Sequence, residues 1–339
     1  MVGHLIAGKA VFGSLSDGRE VHQIVLSDGT LSVALLSLGC ILQDVRLAGV
    51  DHSLTLGTDD LAAYAGPMRS CGSLIGPVIN RISGGAAELD GTIYSFERNQ
   101  DGKHTRHSGS AGTNRLVWDV AEMDETSVTF ETSLRDGTGG FPGNRVVAAR
   151  FSLTEPGVLE MRVAVTTDAP TWVNFANHSY WNLDGTETYA GHRLQVAADR
   201  YCVPGPGDLV TGEVLPIDGT PYDFRVGRML SPGEDAKLDL NLCLADRRRE
   251  PTPVLTLTGE SGVSMVIETT EPGLQLYDAN GLATGSATGH DGRSYVPYAG
   301  LAIEAQAWPD APNQRRFPSI VLRPGRSYEQ VTRWRFSKS

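Results

Sequence analysis

Apolar and polar residues alternate along much of this chain. Val128, Phe130, Thr132 and Leu134 interleave with Thr129, Glu131 and Ser133, and Leu159, Met161, Val163 and Val165 with Glu160, Arg162 and Ala164. Val263, Met265 and Ile267 repeat the pattern after the turn Gly259-Glu260-Ser261-Gly262, with residues 254–257 before it. A period of two puts alternate side chains on opposite faces, so these segments read as half-buried antiparallel strands joined by hairpins. Further turns fall at Ser27-Asp28-Gly29, Leu89-Asp90-Gly91, Glu155-Pro156-Gly157 and Arg323-Pro324-Gly325. Asp tolerates left-handed backbone and Gly adopts it freely. No helical stripe persists over about fifteen residues. Residues 58–64 predict a turn or two of helix, capped by Thr58.

The chain has 339 residues, and about 150 per domain would give two, yet all-β units often run past 200 as one. No low-complexity linker divides it. The expectation is an all-β fold over residues 1–339: one large antiparallel domain of sheets packed face to face. Residues 203–208 and 281–297 read as long loops, which in compact domains tend to be functional. With 29 Lys+Arg against 40 Asp+Glu the formal charge is −11. That argues against nucleic acid and against an anionic membrane face as partners. The four cysteines, at 40, 71, 202 and 243, match no zinc spacing and fit free thiols in a reducing compartment. Residues 1–9 lack the pattern of a secretory leader, and the longest apolar stretch, between Leu31 and Leu42, is too short to span a membrane. A cytoplasmic protein, monomeric or homodimeric, is the expectation.

Motifs exclude several chemistries. There is no Gly-x-Ser-x-Gly nucleophile elbow, no Walker lysine among only four lysines, and no Gly-x-Gly-x-x-Gly between a strand and a helix. His104-x-x-His107 has no nearby Cys or carboxylate to complete a metal site and reads as a solvated loop.

Three segments carry chemistry. Residues 172–183 combine Trp172, Phe175, Tyr180 and Trp181 with Asn174, Asn177, Asn182 and His178. Flat apolar faces beside groups that donate and accept suit a sugar ring, although a lone histidine is more often satisfied in place. Glu304 lies in the apolar strand Gly300-Leu301-Ala302-Ile303-Glu304-Ala305-Gln306. Turned inward, its pKa rises toward the range of a neutral-pH general base; turned outward, it is a surface residue, and alternation alone leaves both open. Asn80-Arg81-Ile82, before Gly84-Gly85, offers a guanidinium to an oxygen-rich ligand.

Taken together, Asn80-Arg81-Ile82, Leu89-Asp90-Gly91-Thr92-Ile93-Tyr94, Asn99, His107-Ser108-Gly109 and Trp118 resemble the N-terminal half of aldose 1-epimerases (mutarotases). The run Val173-Asn174-Phe175-Ala176-Asn177-His178-Ser179-Tyr180-Trp181-Asn182-Leu183 resembles that family's central signature. Pro221-Tyr222-Asp223-Phe224-Arg225, Pro272-Gly273-Leu274-Gln275-Leu276-Tyr277-Asp278-Ala279-Asn280, Ile303-Glu304-Ala305-Gln306, Pro309-Asp310-Ala311-Pro312-Asn313 and Leu322-Arg323-Pro324-Gly325-Arg326-Ser327-Tyr328 follow in the same order. The resemblance implies an antiparallel β-supersandwich of the galactose-mutarotase-like type. It implies epimerisation at C1 of a monosaccharide, galactose or glucose, with no cofactor, metal or covalent intermediate. On it His178 is the general acid and Glu304 the general base, and Asn80, Arg81, His107, Asp239 and Gln275 hold the sugar. Three positions depart from the family pattern: Pro77 where Arg is frequent, Ser108 for Gly, and Asp239 without a following His. All three bear on sugar preference.

On this reading Glu304 as carboxylate takes the O1 proton while His178 as imidazolium protonates the ring oxygen, and the roles reverse on closure. Three other readings compete. Glycoside hydrolysis would use two carboxylates, Asp239 and Glu304. A non-catalytic sugar-binding module would not need the His178 and Glu304 pair. A sugar-phosphate enzyme would use Arg106, Arg315 or Arg316.

Overall fold

The computed structural model describes residues 5–339, so the segment read against a leader lies partly outside the described residues. The expected all-β architecture is present. The largest sheet runs in the order Asp119–Met123, Ser127–Leu134, Arg145–Glu155, Val158–Thr167, Tyr328–Lys338, Val263–Thr269, Thr252–Thr258, Arg193–Val196, Arg228–Met229, antiparallel throughout. Its hairpins are those the alternation predicts. Ala149 pairs with Val163 and Phe151 with Met161, all buried, whereas Val146 on the opposite face is 54% exposed. The strand Tyr328–Lys338 pairs with Val158–Thr167 on one side and Val263–Thr269 on the other, closing the middle of the sheet.

A second sheet has the order Tyr180–Trp181, Leu301–Gln306, Gly273–Tyr277, Asp239–Cys243, Arg200–Pro204, Val210–Pro216. A third pairs Gly8–Ser14, Glu20–Ser27, Leu31–Leu36 and Ile41–Leu47 in sequence order. One apolar cluster joins all three, with Leu35, Phe151, Trp334, Leu276 and Ile303 among its members. Trp181 of the second sheet lies 6.1 Å from Trp334 and 5.6 Å from Phe336 of the largest, ring centre to ring centre.

The second sheet is two-faced because its strands alternate. Leu240, Leu242, Leu274, Leu276, Leu301 and Ile303 point into the core. The opposite face carries the cross-strand row Asn241, Gln275 and Glu304, with Asp239 opposite Tyr277 one step along. This polar face is the floor of the site described below.

Helix is scarce, as expected, but its cap differs. The α-helix spans Leu61–Ala65 and is capped by Asp60, whose Oδ1 accepts the Ala62 N–H at 2.9 Å. Thr58 instead accepts the Asp60 N–H and donates to the Thr288 carbonyl. An aspartate closer to the apolar run takes the cap.

Candidate active site

Glu304 resolves the ambiguity of its strand: it lies on the polar face and is only 2% exposed. Its Oε2 has no hydrogen-bond partner. Burial pushes its carboxyl up to about 8, Asp239 adds to the rise, and Arg106 and Arg81 oppose it. An isolated buried carboxylate is costly, so the group holds its proton unless something arrives to satisfy the anion.

His178 lies between two short strands, Ala176–Asn177 and Tyr180–Trp181. Its backbone is fixed: its N–H donates to the Ser73 carbonyl at 2.9 Å and its carbonyl accepts from Gly72 N–H at 3.0 Å. The Asn177 amide donates to the Gly72 carbonyl at 2.7 Å. The imidazole itself is not satisfied in place. Nδ1 is unpartnered, and Nε2 stands 3.6 Å from Glu304 Oε1. Burial, with a contribution from Arg106, pushes His178 down to about 3. Desolvation thus favours a neutral imidazole beside a protonated carboxyl in the free pair. This differs from the sequence expectation of an imidazolium beside a carboxylate; desolvation of both groups is the cause.

The remaining sequence candidates converge on this pair. Asn80 (φ 63°) and His107 (φ 51°) are left-handed and interlocked. The His107 N–H donates to the Asn80 carbonyl at 2.8 Å, and the Asn80 N–H to His107 Nδ1 at 3.3 Å. That contact makes Nδ1 the acceptor and leaves the proton on Nε2. Burial, Arg106, His178 and Arg81 hold His107 well below its ordinary value, so the ring is a neutral donor. The His107 and His178 ring centres are 5.6 Å apart. Arg81, 8% exposed, reaches Gln100 Oε1 at 3.1 Å, Asp239 Oδ2 at 3.3 Å and Asp208 Oδ2 at 3.4 Å. Gln275 donates to Asp239 Oδ1 at 2.7 Å and leaves its own Oε1 free. Ser108, a departure from the family pattern, clasps Val78 through its hydroxyl: 2.9 Å to the N–H and 2.9 Å to the carbonyl.

All seven sequence candidates line one cavity of about 120 Å³. Arg106, Asp208, Lys237, Tyr277 and Asn280 line it too. Sequence reading did not place Asp208, Lys237, Tyr277 or Asn280 there. The available signal was the alternation that puts Tyr277 on the same face as Gln275; residues 203–208, expected as a long loop, are instead the end of the strand Arg200–Pro204 and a 3-10 turn at Pro206–Asp208. Arg315 and Arg316, offered for a phosphate, line neither this cavity nor its neighbour. His107 belongs to the cavity wall rather than to a solvated loop, while His104 accepts the Gly84 N–H at 3.1 Å. Among the described residues no cluster of His, Cys, Asp or Glu has metal-binding geometry.

The family described as aldose 1-epimerase matches residues 22–335. Galactose mutarotase of Pongo abelii is 32% identical over 341 residues, covering 98% of each chain. Aldose 1-epimerase of Escherichia coli (strain K12) is 27% identical over 336 residues, covering 94% of this chain and 96% of its own. The solved structure of the GalM/aldose epimerase homologue from C. elegans superposes with a TM-score of 0.86 at 29% identity, covering 93% of this chain and 98% of its own. The fold is thus the galactose-mutarotase-like one, and the chain belongs to the aldose 1-epimerase family.

Proposed function

We propose that this enzyme interconverts the α and β anomers of a free aldose, galactose or glucose, by opening and reclosing the ring at C1. The observation that carries this reading is the buried His178 and Glu304 pair, 3.6 Å apart, each with an unpartnered polar atom and both lining one cavity. A sugar whose O1–H donates to Glu304 favours the carboxylate, because hydrogen bonding to the charged form stabilises it. The proton released passes to His178. Glu304 then takes the O1 proton as the C1–O5 bond breaks and C1=O1 forms, while His178 gives its proton to O5. Ring opening leaves Glu304 protonated and His178 neutral. That is the state burial favours, so the site's electrostatics assist the opening step. The aldehyde turns about C1–C2 and the same transfers run backwards on its other face. His107, Arg81, Asp239, Gln275 and Asn80 hold the hydroxyls meanwhile. Four buried free thiols fit a reducing, cytoplasmic setting.

The test is the rate at which the optical rotation of fresh α-D-galactose and α-D-glucose decays, with Glu304→Gln as the comparison. Glutamine keeps the shape and has no basic oxygen, so the rate should fall at least about 10²–10⁴-fold, the usual contribution of a general base. Calorimetric sugar binding should persist. Equal rates in the two proteins would remove Glu304 from the mechanism. A wild type that binds sugar without accelerating mutarotation would be a binding module.

A further inference from the structure

One wall of the sugar cavity comes from a turn rather than from a strand. Pro206–Asp208 joins the strands Arg200–Pro204 and Val210–Pro216 at the edge of the six-stranded sheet, and Asp208 lines the cavity. Gly207 (φ 70°) and Asp208 (φ 55°) are both left-handed. Aspartate is among the few residues besides glycine that adopt this backbone readily. The turn is pinned at several points. The Gly205 N–H donates to the Leu209 carbonyl at 2.6 Å, the Gln100 amide to the Gly207 carbonyl at 3.0 Å, and the Lys237 ammonium to Asp208 Oδ1 at 2.9 Å. Gln100 also accepts from Arg81 Nε at 3.1 Å, and Arg81 Nη2 is shared between Asp239 at 3.3 Å and Asp208 at 3.4 Å.

A carboxylate accepts about four hydrogen bonds, and Asp208 is given two, from Arg81 and Lys237. Its side chain is 43% exposed at the cavity, so acceptor capacity remains. Among the described residues Arg81 Nη1 bonds no protein atom, and Lys237 bonds only through one contact of its ammonium. An acceptor set between two donors suits a sugar hydroxyl, which gives one hydrogen bond and takes others. The bond from Lys237, with Arg81 behind it, holds Asp208 below its ordinary value, so it stays ionised as an acceptor. Arg81, Lys237, Asp208 and Asp239 cancel in charge. The groups that move the Glu304 carboxyl are Asp239, Arg106 and Arg81, and neither Asp208 nor Lys237 is among them. Asp208 is thus placed to act on sugar binding without disturbing the acid–base pair.

The hydrogen-bonded line Gln275, Asp239, Arg81, Asp208, Lys237 leads away from Glu304. Gln275 lies directly across from Glu304, and Asp239 is on the next strand, about 10 Å from that of Glu304 at the usual spacing. With O1 at Glu304, the far end of this line meets ring carbons remote from C1.

We infer that Asp208, held by Lys237, is a specificity-determining residue whose carboxylate accepts a hydrogen bond from the hydroxyl on C3 or C4 of the aldose. The inference rests on the epimerase reading for the placement of O1. Galactose and glucose differ in the direction of the C4 hydroxyl, so a contact at C4 separates the two sugars and a contact at C3 does not.

Kd by calorimetry, and kcat and KM by polarimetry, would be measured for D-galactose and its 2-, 3- and 4-deoxy forms in the wild type, Asp208→Gly, Asp208→Asn and Lys237→Met. Glycine and asparagine both accept the left-handed backbone, so the turn keeps its path. In Asp208→Gly, Kd and KM for galactose should rise about 10- to 100-fold, the value of a charged hydrogen bond. The turnover number and its decline above pH about 8 should be kept. Asp208→Asn, which retains an acceptor without the charge, should lose less, and Lys237→Met should weaken galactose in the same pattern. For either 3-deoxy- or 4-deoxygalactose, wild type and Asp208→Gly should bind equally, because the bonded hydroxyl is already gone. The 2-deoxy sugar should keep the full difference. Equal Kd for galactose in wild type and Asp208→Gly would overturn the contact. So would an equal loss on all the deoxy sugars, the mark of a residue that only props Arg81, or a fall in kcat at constant KM. If the wild type accelerates no mutarotation, the epimerase reading fails by itself, and the same Kd comparisons still decide for or against the contact.

Discussion

With 3.6 Å between His178 Nε2 and Glu304 Oε1, the two residues titrate as a pair, and the number of protons they hold matters more than where one sits. Burial sets the limits. Below about 3 both groups are protonated and no base remains; above about 8 both have lost their proton and no acid remains. Between these limits the pair holds one proton, which either arrangement of acid and base can use. The expected kcat/KM profile of the free enzyme is therefore a plateau that falls with unit slope above pH about 8, where Glu304 ionises. Polarimetric rates from pH 5 to 10 (buffered, about 0.1 M ionic strength to fix screening) would check it. A fall centred near the ordinary histidine value instead would mean that His178 titrates as an exposed group. Sequence reading anticipated the raised carboxyl of Glu304 but not the depressed imidazole of His178. Alternation could not decide whether Glu304 faces in or out, and nothing local signals that both groups are desolvated together. The resemblance to a family linked His178 to Glu304; periodicity alone could not.

Strand elements divide by length. Long strands such as Arg145–Glu155 and Val158–Thr167 were legible because their alternation repeats several times and their hairpin partners are neighbours in sequence. Two-residue strands were not. Leu74–Ile75 pairs with Ala176–Asn177, and Tyr180–Trp181 with Leu301–Gln306, each across roughly a hundred residues. Two residues carry no period, and their partners are not adjacent in the chain. These short elements are the ones that aim His178. Gly72 is their hub, bonded to Leu42, Asn177 and the His178 carbonyl. At φ 69° it is in the left-handed region, and a Cβ there would collide with the Leu42 carbonyl oxygen. Gly72→Ala is expected to cost about 1–3 kcal/mol, the usual price of such a conformation without glycine. It should also lower kcat, because the backbone bonded to His178 must shift. Urea midpoints and mutarotation rates would check both. A loss of stability with kcat intact would show that His178 is aimed by other contacts.

At the scale of the molecule, the core does not respect sheet boundaries. Residues from the four-, six- and nine-stranded sheets belong to one apolar cluster, and Trp181 carries the contact of the site-bearing sheet with the Tyr328–Lys338 strand. The face-to-face arrangement was legible from alternation, which demands an apolar partner for every one-sided sheet. Which sheet holds the site was not, because its strands are scattered between residues 180 and 306 and separated by strands of the largest sheet. If the sheets share their core, they unfold together and the chain is a single unit. Trp181 is fully buried, so Trp181→Ala removes a large side chain from the junction and is expected to cost about 3–5 kcal/mol. Denaturation followed by far-ultraviolet dichroism, which sees all strands, and by tryptophan fluorescence should give coincident curves in the wild type. Both curves should move together in the variant. Two separated transitions, of which Trp181→Ala moves one, would instead divide the chain into independently folding parts, with the polar face of the smaller sheet stable apart from the larger.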